Sequence, residues 1–448
     1  MNIRRAKETD LSAALAELSE KLRSGGGMVS QASREKTAAV FGAPLSPLEC
    51  VRKILADVRA RGDEAISEYT KKLDGVALTA DRFRVPVETI RDAYDTAPEA
   101  FKKSLRKARE NIEKFQQHIK PQPPSTMRNA EGAFVGIAYR PLDRVGLYVP
   151  GGRASYPSTV LMTAIPAKVA GVREMAMVTP CGPDGAVRPE TLAAACEAGI
   201  TELYRLGGAQ AVAALAYGTK TIPRVDKIVG PGNAFVTLAK REVYGEADLD
   251  MLAGPSEVLI IADGKAEPRF LAADLLSQAE HDPAAAVLLT PDEKVARKTL
   301  EEIEAQLPKL SREKAARDCL ERYGFIAVTR DLDQAVELAN QFAPEHLELA
   351  VSNPDALLGR IRAAGAVFMG QFTPEPVGDY MAGPSHVLPT GGTARFFSGL
   401  NVTHFLRTMS VIHYDKDALR QIAGDVDTLA RAEGLDAHAR SATIRFGR

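Results

Sequence analysis

The dipeptide Glu345-His346, in the run FAPEHLELA, joins two side chains that can transfer protons near neutral pH. A carboxylate and an imidazole can work as an acid–base pair only when both reach the same cavity. Adjacent side chains on a regular strand point to opposite faces, so a regular strand would separate them. Pro344 favours a turn or the mouth of a strand here, where both groups could face one site.

Four further polar side chains are candidates for binding a metal ion. Gln278 and His281 lie three residues apart at the end of a predicted helix, so both can face one atom. Asp379 could add an oxygen ligand and His438 a second imidazole. From spacing alone, a solvated histidine at a helix C-terminus and ordinary surface or capping residues are the simpler accounts. Composition does not choose between His438 and the other available histidines, His386, His404 and His413.

Three glycine-containing turns follow predicted strands, at Gly151-Gly152, at Gly207-Gly208-Ala209-Gln210 and at Gly230-Pro231-Gly232-Asn233. The chain has no complete G-x-G-x-x-G or G-x-x-x-x-G-K-[ST] string, so none of the three is a nucleotide fingerprint. Turns between strands and helices commonly need glycine for conformational reasons alone. Three of them at one sheet edge could also bind a phosphate group through backbone N–H groups, and both interpretations stay open.

Composition places the chain among ordinary globular proteins and excludes several classes of partner. Of 448 residues, 45% are hydrophobic and 26% are charged, and 57 basic side chains nearly balance 58 acidic ones. This balance gives no reason to expect a nucleic-acid or anionic-membrane partner. The apolar runs are too short to span a bilayer. Four cysteines without CxxC pairing, and an N-terminus without a secretory signal, predict a cytoplasmic protein with reduced thiols.

The order of the predicted elements indicates an α/β protein with two Rossmann-like α/β units, each built on a parallel sheet. A helical N-terminal region precedes them, and its first 22 residues predict an amphipathic helix. GIAYR, RVGLYV, EMAMVT, ELYRL and DKIVG are strand candidates of the first unit; EVLII, AVLL, FIAV and AVFM are those of the second. A small helical C-terminal segment ends the chain. The predicted divisions are the helical N-terminal region, 1–125, the first α/β unit, 126–250, the second α/β unit with the candidate metal and catalytic residues, 251–372, and a long loop with the C-terminal segment, 373–448.

Several long strings together resemble the histidinol dehydrogenase family, and the resemblance covers nearly the whole chain. It is strongest from Val145 to Thr390. The strings that carry it are VGLYVPGGRASYPSTVLMTAIPAKVAGV, GGAQAVAALAYGT, DKIVGPGNAFVTLAKREVYG, DMLAGPSEVLIIAD, DLLSQAEHDP, FAPEHLEL and VGDYMAGPSHVLPTGGTAR.

The resemblance implies roles for individual residues. Glu345 and His346 match the catalytic pair of the family. The implied zinc ligands are Gln278, His281, Asp379 and His438. The implied substrate site consists of these four residues together with Ser256, Glu345, His346 and Glu433. Tyr148, Gln210 and Asn233 match positions that contact NAD.

The resemblance also implies the reaction and the assembly. L-Histidinol would be oxidised through L-histidinal to L-histidine with two NAD+ in succession and one Zn2+ per subunit, completing histidine biosynthesis. His346 would accept the alcohol proton and Glu345, as an ionised carboxylate, would activate water for the second step, although the sequence alone permits the reverse. Family members are homodimers with shared sites, so Glu433 and His438 would act across the interface. The alternatives are a related dehydrogenase of another small amino- or sulfo-alcohol, or a zinc hydrolase, which would leave the glycine turns unexplained.

Overall fold

The structure is a computed structural model that describes residues 3–5, 10–27, 35, 37–38, 40–122, 125–151, 155–281 and 283–447. Gly152, in one of the predicted glycine turns, lies outside the described residues. Strands and helices alternate through most of the chain, as the sequence predicts.

The strands of the described residues are β1 Ile3–Arg5, β2 Ser125–Arg128, β3 Phe134–Pro141, β4 Arg144–Tyr148, β5 Glu174–Val178, β6 Glu202–Tyr204, β7 Lys227–Val229, β8 Asp248–Leu249, β9 Ser256–Ala262, β10 Ala284–Thr290, β11 Gly324–Val328, β12 His346–Ala350, β13 Ala366–Met369 and β14 Leu406–His413.

The α-helices of the described residues are α1 Leu11–Gly27, α2 Pro47–Arg61, α3 Asp63–Tyr69, α4 Val87–Thr96, α5 Glu99–Ile119, α6 Pro157–Ala170, α7 Pro189–Ala198, α8 Gly208–Tyr217, α9 Ala234–Val243, α10 Pro268–Ala279, α11 Glu293–Gln306, α12 Glu313–Tyr323, α13 Leu332–Phe342, α14 Asp355–Leu358, α15 Glu375–Tyr380, α16 Lys416–Ala432 and α17 Asp436–Thr443. The predicted capping box at the start of α2 is confirmed, because Ser46 and Glu49 exchange hydrogen bonds with each other's backbone N–H groups.

Two parallel sheets form the centre of the protein, and the predicted α/β class is confirmed. The first has the strand order β6-β5-β4-β7-β8 and the second the order β1-β11-β10-β9-β12-β13. Alternate residues of β4 enter different cores: Val145 and Leu147 pack on one face of the sheet and Tyr148 on the other. Helices therefore cover both faces of the first sheet, as expected for buried parallel strands.

A third, antiparallel sheet has the order β14-β3-β2, and it corrects two predictions. GIAYR lies in β3, outside the parallel sheet to which it was assigned, because it pairs with β14 over eight residues. The C-terminal segment is consequently not only helical, since it supplies β14. Pairing partners that are distant in sequence decide these assignments, and local residue patterns do not contain them.

The N-terminus also differs from the predicted uninterrupted helix. Ile3–Arg5 forms a parallel edge strand against β11, and the amphipathic helix begins only at Leu11. Buried leucines of that helix, among them Leu15 and Leu22, belong to the core of the second sheet. The start of the chain is thus part of the second α/β unit, because its apolar face needs the surface of that sheet to be buried.

Candidate active site

The chain turns sharply just before Glu345 and His346. Helix α13 ends at Phe342, and Ala343 follows with a φ of 53°, in the left-handed region that non-glycine residues rarely adopt. Pro344 comes next, and β12 starts at His346. Glu345 consequently precedes the regular strand, which frees its side chain from strict alternation with that of His346. The predicted strand mouth is present.

One residue of the neighbouring strand holds both side chains. The backbone N–H of Glu257 donates to Glu345 Oε2 at 3.0 Å, and the Glu257 carbonyl lies 3.1 Å from His346 Nδ1. The distance from His346 Nδ1 to Glu345 Oε2 is 3.8 Å. Strand β9 thus brings the side chains of Glu345 and of His346, the first residue of β12, into one site. The two side chains lie at the amino ends of β9 and β12, where each strand begins.

The hydrogen bond to Glu257 assigns the tautomer of His346. A carbonyl oxygen only accepts, so Nδ1 carries the proton and donates it, which leaves a lone pair on Nε2. His346 is 4% exposed, and Nε2 has no hydrogen-bond partner among the described residues. Burial lowers the pKa of His346 to about 3, so the imidazole is neutral.

Two further elements bring polar groups to the same cavity. Helix α10 supplies Gln278, whose amide we assign with its nitrogen toward Glu375, because the opposite orientation would set the amide oxygen against two carboxylate oxygens. In this orientation the nitrogen donates to Glu375 at 2.8 and 3.2 Å. Glu375 begins helix α15 and lies 3.7 Å from His346 Nδ1. One turn later on that helix, Asp379 Oδ1 lies 4.0 Å from His346 Nε2.

These residues include a group that could hold a cation. Among the His, Cys, Asp and Glu side chains of the described residues, one set has ligand atoms all within 4.8 Å of one another, and it consists of His346, Glu375 and Asp379. It shares Asp379 with the predicted ligand set. Because the amide nitrogen of Gln278 faces Glu375, the amide oxygen is available as a further ligand atom for a cation.

The carboxyl groups of the cavity are buried more deeply than ordinary acids. Burial raises the pKa values of Glu345 and Glu375 well above 4.5, and raises that of Asp379 to about 6. The carboxyls also raise one another's pKa, because like charges repel at short range. The ionised Glu345 expected from the sequence is therefore not the form that the chain alone favours. A nearby cation would reverse this preference.

Ser256 and His281 also reach this region. The Ser256 side chain lies close enough to Glu345 to lower the pKa of that carboxyl. His281 follows α10. A positive charge on the His281 imidazole would lower the pKa of His346, because like charges repel. His386, a histidine that the sequence left open, lies close enough to have the same effect and contacts Ser158 Oγ at 3.2 Å.

Glu433 and His438 are not part of this cluster within one chain. Both are exposed, Glu433 at the end of α16 and His438 in α17. Helices α16 and α17 pack on each other. A single protomer thus brings together Ser256, Gln278, Glu345, His346 and Asp379, with His281 near enough to affect the pKa of His346, but not the two C-terminal residues.

The predicted nucleotide contacts lie at the carboxyl edge of the first sheet. The Tyr148 hydroxyl accepts the N–H of Gly208 at 3.0 Å, and Asn233 caps helix α9. Gln210 is fully buried, with Nε2 donating to Asp74 at 3.1 Å and Oε1 without a partner among the described residues. Gln210 and Asn233 line a cavity of about 330 Å³. Two of the three glycine turns therefore border one cavity.

A larger cavity, of about 890 Å³, lies between helices α5 and α6 and the antiparallel sheet. Its lining includes Arg109, Lys120, Phe134 and Lys168 but none of the predicted site residues. Cavity size alone would therefore point away from the cluster of buried acids and histidines. The unusual pKa values and the partnerless nitrogen of His346 are the better indicators of an active site.

Comparison with known proteins gives the family. The family model described as histidinol dehydrogenase matches residues 45–446. The chain belongs to the histidinol dehydrogenase family. The histidinol dehydrogenase of Rhodopirellula baltica is 51% identical over 431 residues, which cover 96% of this chain and 94% of that relative. The histidinol dehydrogenase of Moorella thermoacetica is 54% identical over 396 residues, which cover 88% of this chain and 93% of that relative.

A solved structure agrees with this family assignment. The crystal structure of histidinol dehydrogenase from Elizabethkingia anophelis superimposes with a TM-score of 0.86 at 38% identity, covering 89% of this chain and 92% of that one. The family resemblance predicted from the sequence is confirmed, and the chain is an enzyme of the oxidoreductase class. In the part of the chain that the structure describes, no helix is long and apolar enough to cross a membrane.

Sequence reasoning missed two acidic residues of the site. Glu375 lies four residues before Asp379, a spacing that places both on one face of a helix and that could have signalled it. Glu257 contributes through its backbone, for which residue type gives no signal.

Proposed function

We propose that the chain oxidises L-histidinol through L-histidinal to L-histidine, with Zn2+ bound and two NAD+ consumed, as the last two steps of histidine biosynthesis. The observation that carries the proposal is the neutral His346, whose bare Nε2 lies 4.0 Å from Asp379 Oδ1 in an enzyme of this family. We further propose a homodimer with shared active sites that acts in the cytoplasm.

The donor set around the cavity suits zinc. Gln278, His281 and Asp379 would bind the ion from one chain, and His438 of a second chain would complete a set of two nitrogens and two oxygens. When bound, the ion would fix the amine and imidazole of the substrate and polarise its reacting oxygen. The buried carboxyls with raised pKa values support this fit, because a cation would offset the cost of ionising them.

The position of the C-terminal helices supports a shared site. Glu433 and His438 are exposed, although both belong to the predicted substrate site. Apolar side chains on the same segment are exposed as well, with Leu429 at 68% and Ile444 at 52%. Exposed apolar side chains near required polar ones are typical of a surface that a second subunit covers. We therefore assign Glu433 and His438 to the site of the partner chain.

The first half-reaction needs a base for the hydroxyl proton while a hydride moves to NAD+. His346 Nε2 would accept that proton, and Nδ1 would stay bonded to the Glu257 carbonyl. A buried imidazole with a pKa of about 3 is by itself a weak base. The carboxylates of Glu345 and Glu375, at 3.8 and 3.7 Å from Nδ1, would stabilise the imidazolium once they are ionised.

The second half-reaction needs water to add to the aldehyde before another hydride leaves. Glu345 would accept the proton of that water, because its raised pKa makes it a stronger base than an exposed glutamate. The hydrogen bond from the Glu257 N–H would keep its carboxylate oriented, with the Ser256 side chain nearby. For NAD+, we assign Tyr148, Gln210 and Asn233 as contacts, with Gln210 Oε1 offering a buried acceptor.

A direct test mixes the purified protein with L-histidinol and NAD+ and follows the absorbance of reduced nicotinamide. We expect two NADH per histidinol, and loss of the signal after zinc is chelated. Other small amino- or sulfo-alcohols serve as competing substrates. Faster turnover of one of them would overturn the substrate assignment, and NAD+-independent hydrolysis would favour a zinc hydrolase.

The shared site is tested with His438→Asn, matched to His118→Asn at an exposed histidine of α5. We expect the first variant to lose bound zinc and activity together, because a metal ligand is removed. The control should keep both. Full zinc occupancy in His438→Asn would contradict the ligand assignment.

The division of labour between the two catalytic residues is tested with Glu345→Gln. The amide oxygen can still accept the Glu257 N–H, but the side chain no longer accepts a proton from water. We expect the oxidation of L-histidinal to slow by ~10²–10⁴-fold, and the oxidation of L-histidinol by less. Equal losses in the two half-reactions, measured with each substrate separately, would overturn the assignment.

A further inference from the structure

Behind the proposed zinc site lies a second pair of carboxyl groups, Asp274 on α10 and Glu348 on β12. Glu348 is 4% exposed, and its side chain is hydrogen-bonded to that of Asp274. Neither residue has a part in the proton transfers described above. Burying two acids side by side costs free energy, which hydrogen bonds to the carboxyl groups offset in part.

Glu348 also holds the start of helix α15. Its Oε1 accepts the backbone N–H of Glu375 at 3.1 Å. The first N–H groups of a helix have no partner within the helix, so this buried donor needs an outside acceptor. The hydrogen bond ties α15 to β12 at a point two residues beyond His346.

Helix α10 is tied to α15 at the same place. Asp274 and Gln278 are four residues apart, on one face of α10. Asp274 contacts Glu348, and Gln278 donates to the carboxylate of Glu375. Both connections therefore converge on Glu375, one through its backbone and one through its side chain.

Asp379 follows Glu375 by one helical turn. Helix α15 has only six residues, so fixing its first residue fixes the direction of the rest. Of the proposed zinc ligands, Gln278 lies on α10 and Asp379 lies on α15. The distance between these two ligands thus depends on the contacts that hold the two helices against β12.

We propose that Glu348 and Asp274 are positioning residues, which set the separation of the ligands Gln278 and Asp379 by anchoring α15 and α10 to strand β12. The proposal rests on the proposed function where it concerns zinc. It explains why the strand that begins at His346 also carries a buried acid with no partner of opposite charge in the described contacts. Residues in this supporting position typically change metal affinity by ~10–100-fold when they are removed.

Two substitutions at Glu348 separate the anchor from the charge. Glu348→Gln keeps an oxygen for the Glu375 N–H and gains an N–H for Asp274, so both hydrogen bonds can persist. Glu348→Leu has a similar volume but leaves the Glu375 N–H and the Asp274 carboxyl without this partner. Leu288→Ala, in β10 of the same sheet and away from α15, controls for a general loss of stability.

The first readout is hydrogen exchange of the α15 amides in zinc-free protein, and it does not depend on the proposed function. We expect parent and Glu348→Gln to protect the Glu375 amide, and Glu348→Leu to exchange it at least ~10-fold faster. Leu288→Ala should exchange it like the parent. Equal protection in Glu348→Leu and parent would overturn the anchor.

The second readout is zinc affinity, measured by competition with a chelator. We expect ~10–100-fold weaker binding for Glu348→Leu and near-parent binding for Glu348→Gln and Leu288→Ala. Equal weakening in the Gln and Leu variants would overturn the anchor in favour of a charge effect. A parent that binds no zinc would contradict the proposed function instead, and the exchange result would still decide whether Glu348 holds α15.

Discussion

The buried ion pair between Lys240 and Asp250 offers a test of how the first sheet presents its glycine turn. Lys240 Nζ donates to Asp250 Oδ1 at 2.5 Å and to the Gly230 carbonyl at 3.0 Å. Asp250 Oδ2 accepts the Gly230 N–H at 2.6 Å. The pair therefore holds both backbone groups of Gly230, the residue that starts the turn leading to Asn233.

Replacing Lys240 with Met should destabilise the first sheet strongly. The two side chains are only 3% and 0% exposed, so Lys240→Met leaves a buried carboxylate without its counter-charge. Losing one partner of such a pair costs about 3–5 kcal/mol. A domain of about 150–250 residues loses about 2–4 °C of melting temperature per kcal/mol, so we expect the melting temperature to fall by roughly 6–20 °C.

Scanning calorimetry measures the shift, and steady-state kinetics measures a rise in KM for NAD+ that exceeds the rise for L-histidinol. Arg59→Met is the matched control, because the exposed Arg59–Glu246 pair should contribute ~0–1 kcal/mol. The double variant Lys240→Met/Asp250→Asn should melt above Lys240→Met, since it carries no buried charge. A Lys240→Met protein that melts within about 2 °C of the parent would refute the reasoning.

Two further predictions concern the second sheet. Burial raises the pKa of Asp379 from 3.8 to about 6, so in zinc-free protein this residue stabilises the fold below about pH 4 and loses that effect, ~3 kcal/mol, as pH rises to about 6. Zinc affinity should increase over the same pH range. Urea unfolding and competition with a chelator, each at several pH values, measure the two effects, and Asp379→Asn is the control. A free energy of unfolding and a zinc affinity that differ from the control by the same amount at every pH would contradict the prediction. A Cβ at Gly365 would lie 2.6 Å from the Glu345 carbonyl oxygen, so Gly365→Ala should displace Glu345 and reduce kcat, whereas Gly359→Ala, in open space, should not. Unchanged kcat in Gly365→Ala would contradict the close approach.

Local patterns in the sequence predict much of this fold. The Ser46 capping box, the helix Glu99–Ile119 and most strands of the two parallel sheets are present where apolar periodicity and turn residues indicate them, whereas the edge strands β1 and β8 were not predicted. The antiparallel sheet escaped prediction because β3 and β14 are separated by more than 260 residues, and no local signal joins them.

The candidate active site was likewise predictable in part from the sequence. Residue types identify Glu345 and His346 as a pair that can handle protons, and the family resemblance supplies the expected partners. Sequence does not show that one backbone residue, Glu257, holds both side chains, nor which nitrogen of His346 is bare. The buried acid Glu348 also gave no sign in the sequence, because an acidic residue in a mixed segment looks like a solvated one until its neighbours are known.

The sequence by itself determined the α/β class, the order of most elements and the family. Those properties depend on side-chain periodicity, turn chemistry and long motifs, all of which are local. Only the tertiary structure decided the chemistry of Glu345 and His346. Burial shifts their pKa values in opposite directions, and the carbonyl of Glu257 sets the tautomer. Desolvation and hydrogen bonding depend on which atoms surround a group in space, and strands β9 and β12, far apart along the chain, meet only in the folded protein.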